Sequence, residues 1–192
     1  MIIIGISGTA GSGKDTVADI IAQEFSAHIF NTSDYVRAVT RYIFDLPHES
    51  SPIRDQLYEV ATELRKLNQA STVNMGIVQA RERGFSVQLI TGLRTVGEAN
   101  AVRVNGGIII GVDAEPSVRH GRIQKRARDA ESERTLEQFI IQDEYENNGV
   151  GDGDMRGIRH IIAEADIVIE NNSSLEELRT QIIKELTPLI KL

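Results

Sequence analysis

The chain has 192 residues, 41% of them hydrophobic, and a formal net charge of −7. That length holds one domain with a proper core, and the acidic balance argues against a nucleic-acid partner. With no cysteine, disulfides, cysteine-zinc sites and thiol catalysis are excluded.

Taken in order, Met1-Ile2-Ile3-Ile4-Gly5-Ile6 reads as a buried strand. It is too short for a secretory leader and lacks a basic lead. It runs into Gly8-Thr9-Ala10-Gly11-Ser12-Gly13-Lys14-Asp15-Thr16, after which residues 17–22 read as a helix. Strand, glycine-rich turn, Gly-Lys, hydroxyl and helix form the context of a phosphate-binding P-loop. Glycines let successive N–H groups turn toward one anion, and the helix N-terminus adds about half a positive charge. Backbone groups of Gly8, Ala10, Gly11, Ser12, Gly13 and Asp15 would cradle phosphate. Lys14 would reach the β- and γ-phosphates, and Thr16 would touch phosphate or Mg²⁺. A plain glycine-rich turn is the simpler reading, but strand, spacing, lysine and hydroxyl all agree on the P-loop.

The hydroxyl comes one position late, because Asp15 separates Lys14 from Thr16. This Gly-Lys-Asp-Thr form resembles the nucleoside monophosphate kinase group of P-loop proteins. Within it, the form is similar to the dephospho-CoA kinase and deoxynucleoside monophosphate kinase branch, related to adenylate kinases. The resemblance implies a cytoplasmic enzyme that uses ATP and Mg²⁺ to phosphorylate a small acceptor.

Further strands are expected at residues 28–31, 86–91, 107–113 and 166–170. The runs Ile108-Ile109-Ile110 and Ile167-Val168-Ile169 lack polar alternation, as a sheet covered on both faces demands. Helical stretches between them predict a doubly wound α/β fold. The expectation is one three-layer α/β/α P-loop NTPase domain over residues 1–192, with a five-stranded parallel sheet. Ligands in such sheets bind beyond the carboxyl ends of the strands. Ser51-Pro52 looks like a cap and first turn for a helix whose Ile53, Leu57, Val60, Ala61, Leu64 and Leu67 make one apolar face. Two segments interrupt the alternation. By the resemblance, the helical insertion at 33–83 covers the acceptor and the region 115–164 is a lid over the donor. Gly149-Val150-Gly151-Asp152-Gly153 reads as a loop between lid helices.

After the second strand, Asp34 and Arg37 stand at i and i+3 and point the same way. Asp34 could orient an acceptor hydroxyl or a Mg²⁺ water, and Arg37 could hold a phosphate. A solvated surface pair is the rival reading. In the resembling kinases the strand at Leu89-Ile90-Thr91-Gly92-Leu93-Arg94 carries an aspartate where this chain has Thr91. Arg94 keeps its place, which the resemblance gives to an acceptor-phosphate ligand; a surface arginine opening a helix is the rival reading. Arg65 either lines the acceptor pocket or is solvated. Residues 119–128 hold five Arg or Lys in an otherwise acidic chain. A run of charge often marks a solvated face, but as a lid Arg122, Arg126 and Arg128 would reach the triphosphate, whose charge spreads over the transferring oxygens. Ile140-Ile141-Gln142-Asp143-Glu144 imitates a strand ending in acids. However, Leu136, Phe139 and Ile140 follow helical spacing, and Thr135 is a cap, so Asp143 is expected on a helix. Asn171 opens a turn that lines an adenine pocket in similar kinases. Ser174-Leu175-Glu176-Glu177 is a capping box for the last helix.

The function expected is γ-phosphoryl transfer from ATP, with Mg²⁺, to a small nucleotide-like acceptor such as a nucleoside or deoxynucleoside monophosphate or dephospho-CoA. Lys14, Asp34, Arg94 and Arg126 would form the catalytic set, and Asp34, Arg37, Arg65 and Arg94 the acceptor site. Thr16 and Asp34 would serve the metal. No membrane partner is expected, since no apolar run approaches the roughly 20 residues of a span. The absence of the Asn-Lys-x-Asp guanine motif argues against a GTPase switch. A regulatory ATPase or an inactive kinase-like protein is the alternative, with Thr91 as its reason.

Overall fold

A computed structural model describes residues 1–126, 134–148 and 157–190. Five strands, β1 (Ile2–Gly8), β2 (His28–Asn31), β3 (Val87–Leu93), β4 (Ile108–Asp113) and β5 (Ile167–Glu170), form one sheet. Their order is β2-β3-β1-β4-β5, all parallel. The helices are α1 (Lys14–Phe25), α2 (Thr32–Ile43), α3 (Arg54–Leu67), α4 (Ser71–Arg83) and α5 (Val96–Val104), then α6 (Pro116–Arg126), α7 (Leu136–Asn148), α8 (Ile158–Ala163) and α9 (Leu175–Ile190).

Side-chain alternation along each strand builds the three layers. On one face, Ile4, Ile6, Leu89, Ile110 and Ile169 pack with Val17 and Ile21 of α1 and with Leu178, Ile182 and Leu186 of α9. On the other, Ile3, Ile90 and Ile109 pack with Val73 and Ile77 of α4, Val102 of α5 and Ile161 of α8. Burying each such side chain contributes about 1.5–3 kcal/mol. Both faces being covered explains why these strands are continuous apolar runs.

β1 sits at the centre, between β3 and β4. The chain leaves β1 toward β2 and later returns on the other side at β4, so β1 ends at a topological switch point, where doubly wound sheets bind ligands. The register between β1 and β3 slips where Ile6 pairs Thr91 and Ser7 pairs Leu93, skipping Gly92. Ser7 Oγ then donates to the Leu93 carbonyl at 2.9 Å.

Two local expectations need correction. α3 begins at Arg54, not at Ser51-Pro52. Pro52 lies before the helix, and the Gln56 side chain accepts from the Ile53 N–H at 3.2 Å, closing the first turn. The apolar face of α3 is also only partly used. Val60 is buried, but Ile53 and Leu67 are exposed. Other end signals hold. Thr135 caps α7 through the Gln138 N–H, and Ser174 caps α9 through the Glu177 N–H.

Candidate phosphate site at the carboxyl rim of the sheet

The loop from β1 to α1 turns through two left-handed glycines, Gly11 (φ 77°) and Gly13 (φ 87°). A side chain there is strained by the backbone alone. Space forbids one as well. A Cβ on Gly11 would stand 2.7 Å from the Arg119 carbonyl oxygen, and one on Gly13 would overlap Asn171 Nδ2. So α6 and the turn after β5 press directly against the loop. The Ser12 N–H closes an inner turn onto the Thr9 carbonyl at 3.2 Å. Thr9 Oγ1 donates to Asp113 Oδ1 at 2.7 Å, anchoring the loop to the end of β4.

Three successive loop carbonyls accept from side chains. Arg119 Nη1 donates to the Ala10 carbonyl at 3.3 Å. Arg122 Nη1 lies 3.4 Å from the Gly11 carbonyl and 3.3 Å from that of Ser12. Asn171 Nδ2 donates to the Ser12 carbonyl at 2.8 Å. Arg122 Nη2 also donates to the Asn171 carbonyl at 3.0 Å.

Lys14, in the first turn of α1, is partly enclosed. Burial pushes its ammonium below the ordinary lysine range. Asp15, 3.8 Å away, opposes the shift, while the Arg94 and Arg126 charges reinforce it. The charges of Arg94, just after β3, and of Arg126, on α6, thus act on Lys14 at the P-loop. Beside them a groove of about 320 Å³ is lined by Thr16, Arg122, Arg126, Asn171 and Ser173. Like charges gathered around a partly desolvated lysine favour an anion between them.

Behind the loop lies a buried ionic knot. Arg119 is 1% exposed and donates from both Nη atoms to Asp143 on α7. Its guanidinium also stands over the Phe139 ring, 5.2 Å from the centroid. Asp143 accepts further from Asn147 at 2.7 Å and from Arg159 of α8 at 3.0 Å. Asp113 lies 3.6 Å from Arg119 and 3.9 Å from Arg159.

On the same rim, toward the β2 edge of the sheet, Thr32 Oγ1 donates to the Gly92 carbonyl at 3.0 Å and pins α2 to the end of β3. Asp34 and Arg37 form an exposed ion pair of 3.1 Å on α2. Thr91 is buried within β3. Glu98 is fully buried and accepts four bonds. They come from Arg65 Nε at 3.1 Å, Thr72 Oγ1 at 3.2 Å, and the Arg94 and Thr95 N–H groups at 2.7 and 3.2 Å.

No protein-family profile matches the chain. A UPF0200 protein from Methanosarcina barkeri is 30% identical over 196 residues, spanning 100% of this chain and 97% of its own. The chain belongs to the UPF0200 family. A UPF0200 protein from Aeropyrum pernix is also 30% identical, over 92% of this chain and 88% of its own. Among solved structures, TT1252 from Thermus thermophilus superposes with a TM-score of 0.64 at 18% identity, covering 98% of this chain and 97% of that one. A gluconokinase from Sinorhizobium meliloti gives 0.54 at 15% identity, covering 99% and 94%. A shikimate kinase from Bacteroides thetaiotaomicron gives 0.53 at 16%, covering 100% and 99%. At such identities the likeness is one of fold, and the fold is that of P-loop kinases.

In this UPF0200 chain the expected site residues fall into three groups. Lys14, Thr16, Arg94, Arg126 and Asn171 gather at the P-loop end of the sheet. Arg122 joins them but donates to loop carbonyls. Asp34 and Arg37 sit together on α2, engaged with each other. Arg65 is partly buried, and its Nε donates to Glu98. Arg128 and the loop 149–153 lie outside the described residues. Among those described, no cluster of three or more His, Asp or Glu could hold a metal, and no helix is long and apolar enough to cross a membrane. A Mg²⁺ here would rely on phosphate oxygens, Thr16 and at most one or two carboxylates, a donor set that suits an ion which keeps most of its waters.

Sequence reasoning missed Glu98 and the role of Arg119. Thr95-Val96-Gly97-Glu98 is a legible capping box, and it does form. What pattern alone does not carry is that the same carboxylate also meets Arg65 and Thr72.

Proposed function

We propose that this protein transfers the γ-phosphoryl group of ATP to a small nucleotide-like acceptor: a nucleoside monophosphate, a deoxynucleoside monophosphate or dephospho-CoA. The reading is supported above all by the Arg94 and Arg126 charges acting on Lys14 at a glycine loop whose carbonyls accept from Arg119 and Asn171. Lys14 and the loop amides bind the β- and γ-phosphates, and Thr16 touches phosphate or metal. Asp34 orients the acceptor hydroxyl or a metal-bound water. Arg94, with Arg37, holds the acceptor's anion. Arg126 closes over the donor as part of a lid in the region 115–164. Mg²⁺ supplies charge neutralisation when bound. Catalysis of this kind is positioning and electrostatics, with no covalent intermediate. Calorimetry with ATP, followed by a transfer assay against those three acceptor classes, tests the reading.

One observation favours a second reading, a nucleotide-binding regulatory ATPase or inactive relative. Thr91, which lies within β3 because the strand runs on to Leu93 instead of ending at residue 91, brings no charge. Tight ATP binding with no transfer would select it.

A further inference from the structure

We propose that Arg122 and Asn171, although they line the groove beside the P-loop, are positioning residues that act through the loop carbonyls to hold the P-loop in its anion-binding shape, rather than by bonding the nucleotide. The proposal rests on the reading of residues 8–16 as a triphosphate site. A trans peptide points its N–H opposite to its C=O. Whatever fixes a loop carbonyl on one side therefore aims the next residue's N–H at the other. The Ser12 carbonyl is held by Arg122 of α6 at 3.3 Å and by Asn171 of the turn after β5 at 2.8 Å. Its peptide partner is the N–H of Gly13, the residue at the helix start. The Ala10 carbonyl, held by Arg119, directs the Gly11 N–H in the same way.

Arg122 does more than add one bond. Its Nη1 serves the loop, while its Nη2 serves Asn171, at 3.0 Å to the carbonyl and 3.3 Å to Oδ1. Asn171 is in turn fixed to the sheet, its N–H donating to the Asp113 carbonyl at 2.8 Å. The loop is thus tied through one guanidinium and one amide to the end of β4, the strand whose Asp113 already holds Thr9. Glycines make the loop flexible, and these ties restrain it before any ligand arrives. An arginine does this better than a lysine, because its planar fork spans two acceptors at fixed angles.

The test uses ATP and inorganic tripolyphosphate as calorimetric probes of the full chain. Tripolyphosphate has no base, so it reads the phosphate cradle alone. Positioning predicts that R122A and N171A each weaken both probes by at least tenfold, with thermal melting little changed. It also predicts that the double variant loses little more than the worse single one, since both act through one loop. Loss confined to ATP would mean that the pair contacts the base, and would overturn the proposal. So would additive losses, or tripolyphosphate binding weakened by R122A but untouched by N171A, which mark Arg122 as a direct ligand. Unchanged affinities with a lowered melting temperature would make the pair merely structural. If R122A does not fold, R122K replaces it and is expected to lose the same tenfold. Parental affinity in R122K overturns the proposal. A parent that binds neither probe removes the triphosphate reading itself. A parent that binds both, but not after K14A, keeps that reading whatever the fate of Arg122.

Discussion

Arg119 and Asp143 meet as a bidentate ion pair sealed from solvent, with Nη1 and Nη2 donating to the two carboxylate oxygens at 2.6 and 2.7 Å. Neither side chain can reach water, so neither tolerates the loss of the other. Asp143→Asn is expected to destabilise the fold by about 3–5 kcal/mol, the usual effect of leaving one buried charge unpaired. Replacing both, Arg119→Met with Asp143→Leu, is expected to recover most of that. Urea unfolding of the three proteins checks it. Equal stability of Asp143→Asn and the parent would mean that Asp113, which lies near both Arg119 and Arg159, neutralises them unaided.

Lys14 is expected to weaken the fold it serves. Its ammonium is held below its ordinary value near 10.5 by burial and by the Arg94 and Arg126 charges. Lys14→Met should therefore stabilise the unliganded protein, by about 0.5–2 kcal/mol, the size typical of relieving such a cost. The sign with pH follows by linkage. Between the depressed value and 10.5, the unfolded chain holds a proton that the folded chain has released. The parent's stability relative to Lys14→Met should then rise with pH across that window. Melting temperatures of both proteins from neutral pH upward read this directly, and a variant that melts lower than the parent would contradict it.

Glu98 holds two backbone N–H groups and two side chains with one carboxylate. An amide in its place turns one acceptor into a donor facing donors. Glu98→Gln is expected to cost about 2–3 kcal/mol and to loosen the turn that carries Arg94. If Arg94 serves the acceptor, KM for the acceptor should rise more than KM for ATP. Steady-state kinetics with each substrate varied in turn separates the two.

Thr91, buried within β3, supplies no carboxylate there, so under the proposed function another acid is expected to order the waters of a bound Mg²⁺. Asp113 is occupied by Thr9, Arg119 and Arg159, whereas Asp34 is exposed at the rim. Asp34→Asn is expected to lower phosphoryl transfer by at least about tenfold, roughly 1.4 kcal/mol, with ATP binding nearly intact. Thr91→Asp should be tolerated. Full activity in Asp34→Asn would move the metal role elsewhere.

The fold was legible because its signals are local. Ile2–Ile6 and Ile108–Ile110 are continuous apolar runs, and the Gly-Lys turn between strand and helix permits few other conformations. The helix at 136–148 was legible too, despite its apolar Ile140-Ile141, because Thr135 and the spacing of Leu136, Phe139 and Ile140 agreed. The site was legible only in part. A run of arginines says that charge is present but not where each one points. Arg119 turns inward to Asp143, Arg122 to the loop carbonyls, and Arg126 toward Lys14, and only tertiary packing separates these fates. Arg65 was ambiguous for the same reason, since its partner Glu98 lies 33 residues away.

The central claim is that the P-loop serves phosphoryl transfer and not merely nucleotide binding. The most direct measurement incubates the parent and Lys14→Ala with ATP, Mg²⁺ and, separately, nucleoside monophosphates, deoxynucleoside monophosphates and dephospho-CoA, and follows ADP and phosphorylated acceptor together. The account predicts stoichiometric ADP and product with at least one acceptor in the parent, and neither in Lys14→Ala. Tight ATP binding by the parent with no phosphorylated product from any acceptor would contradict it.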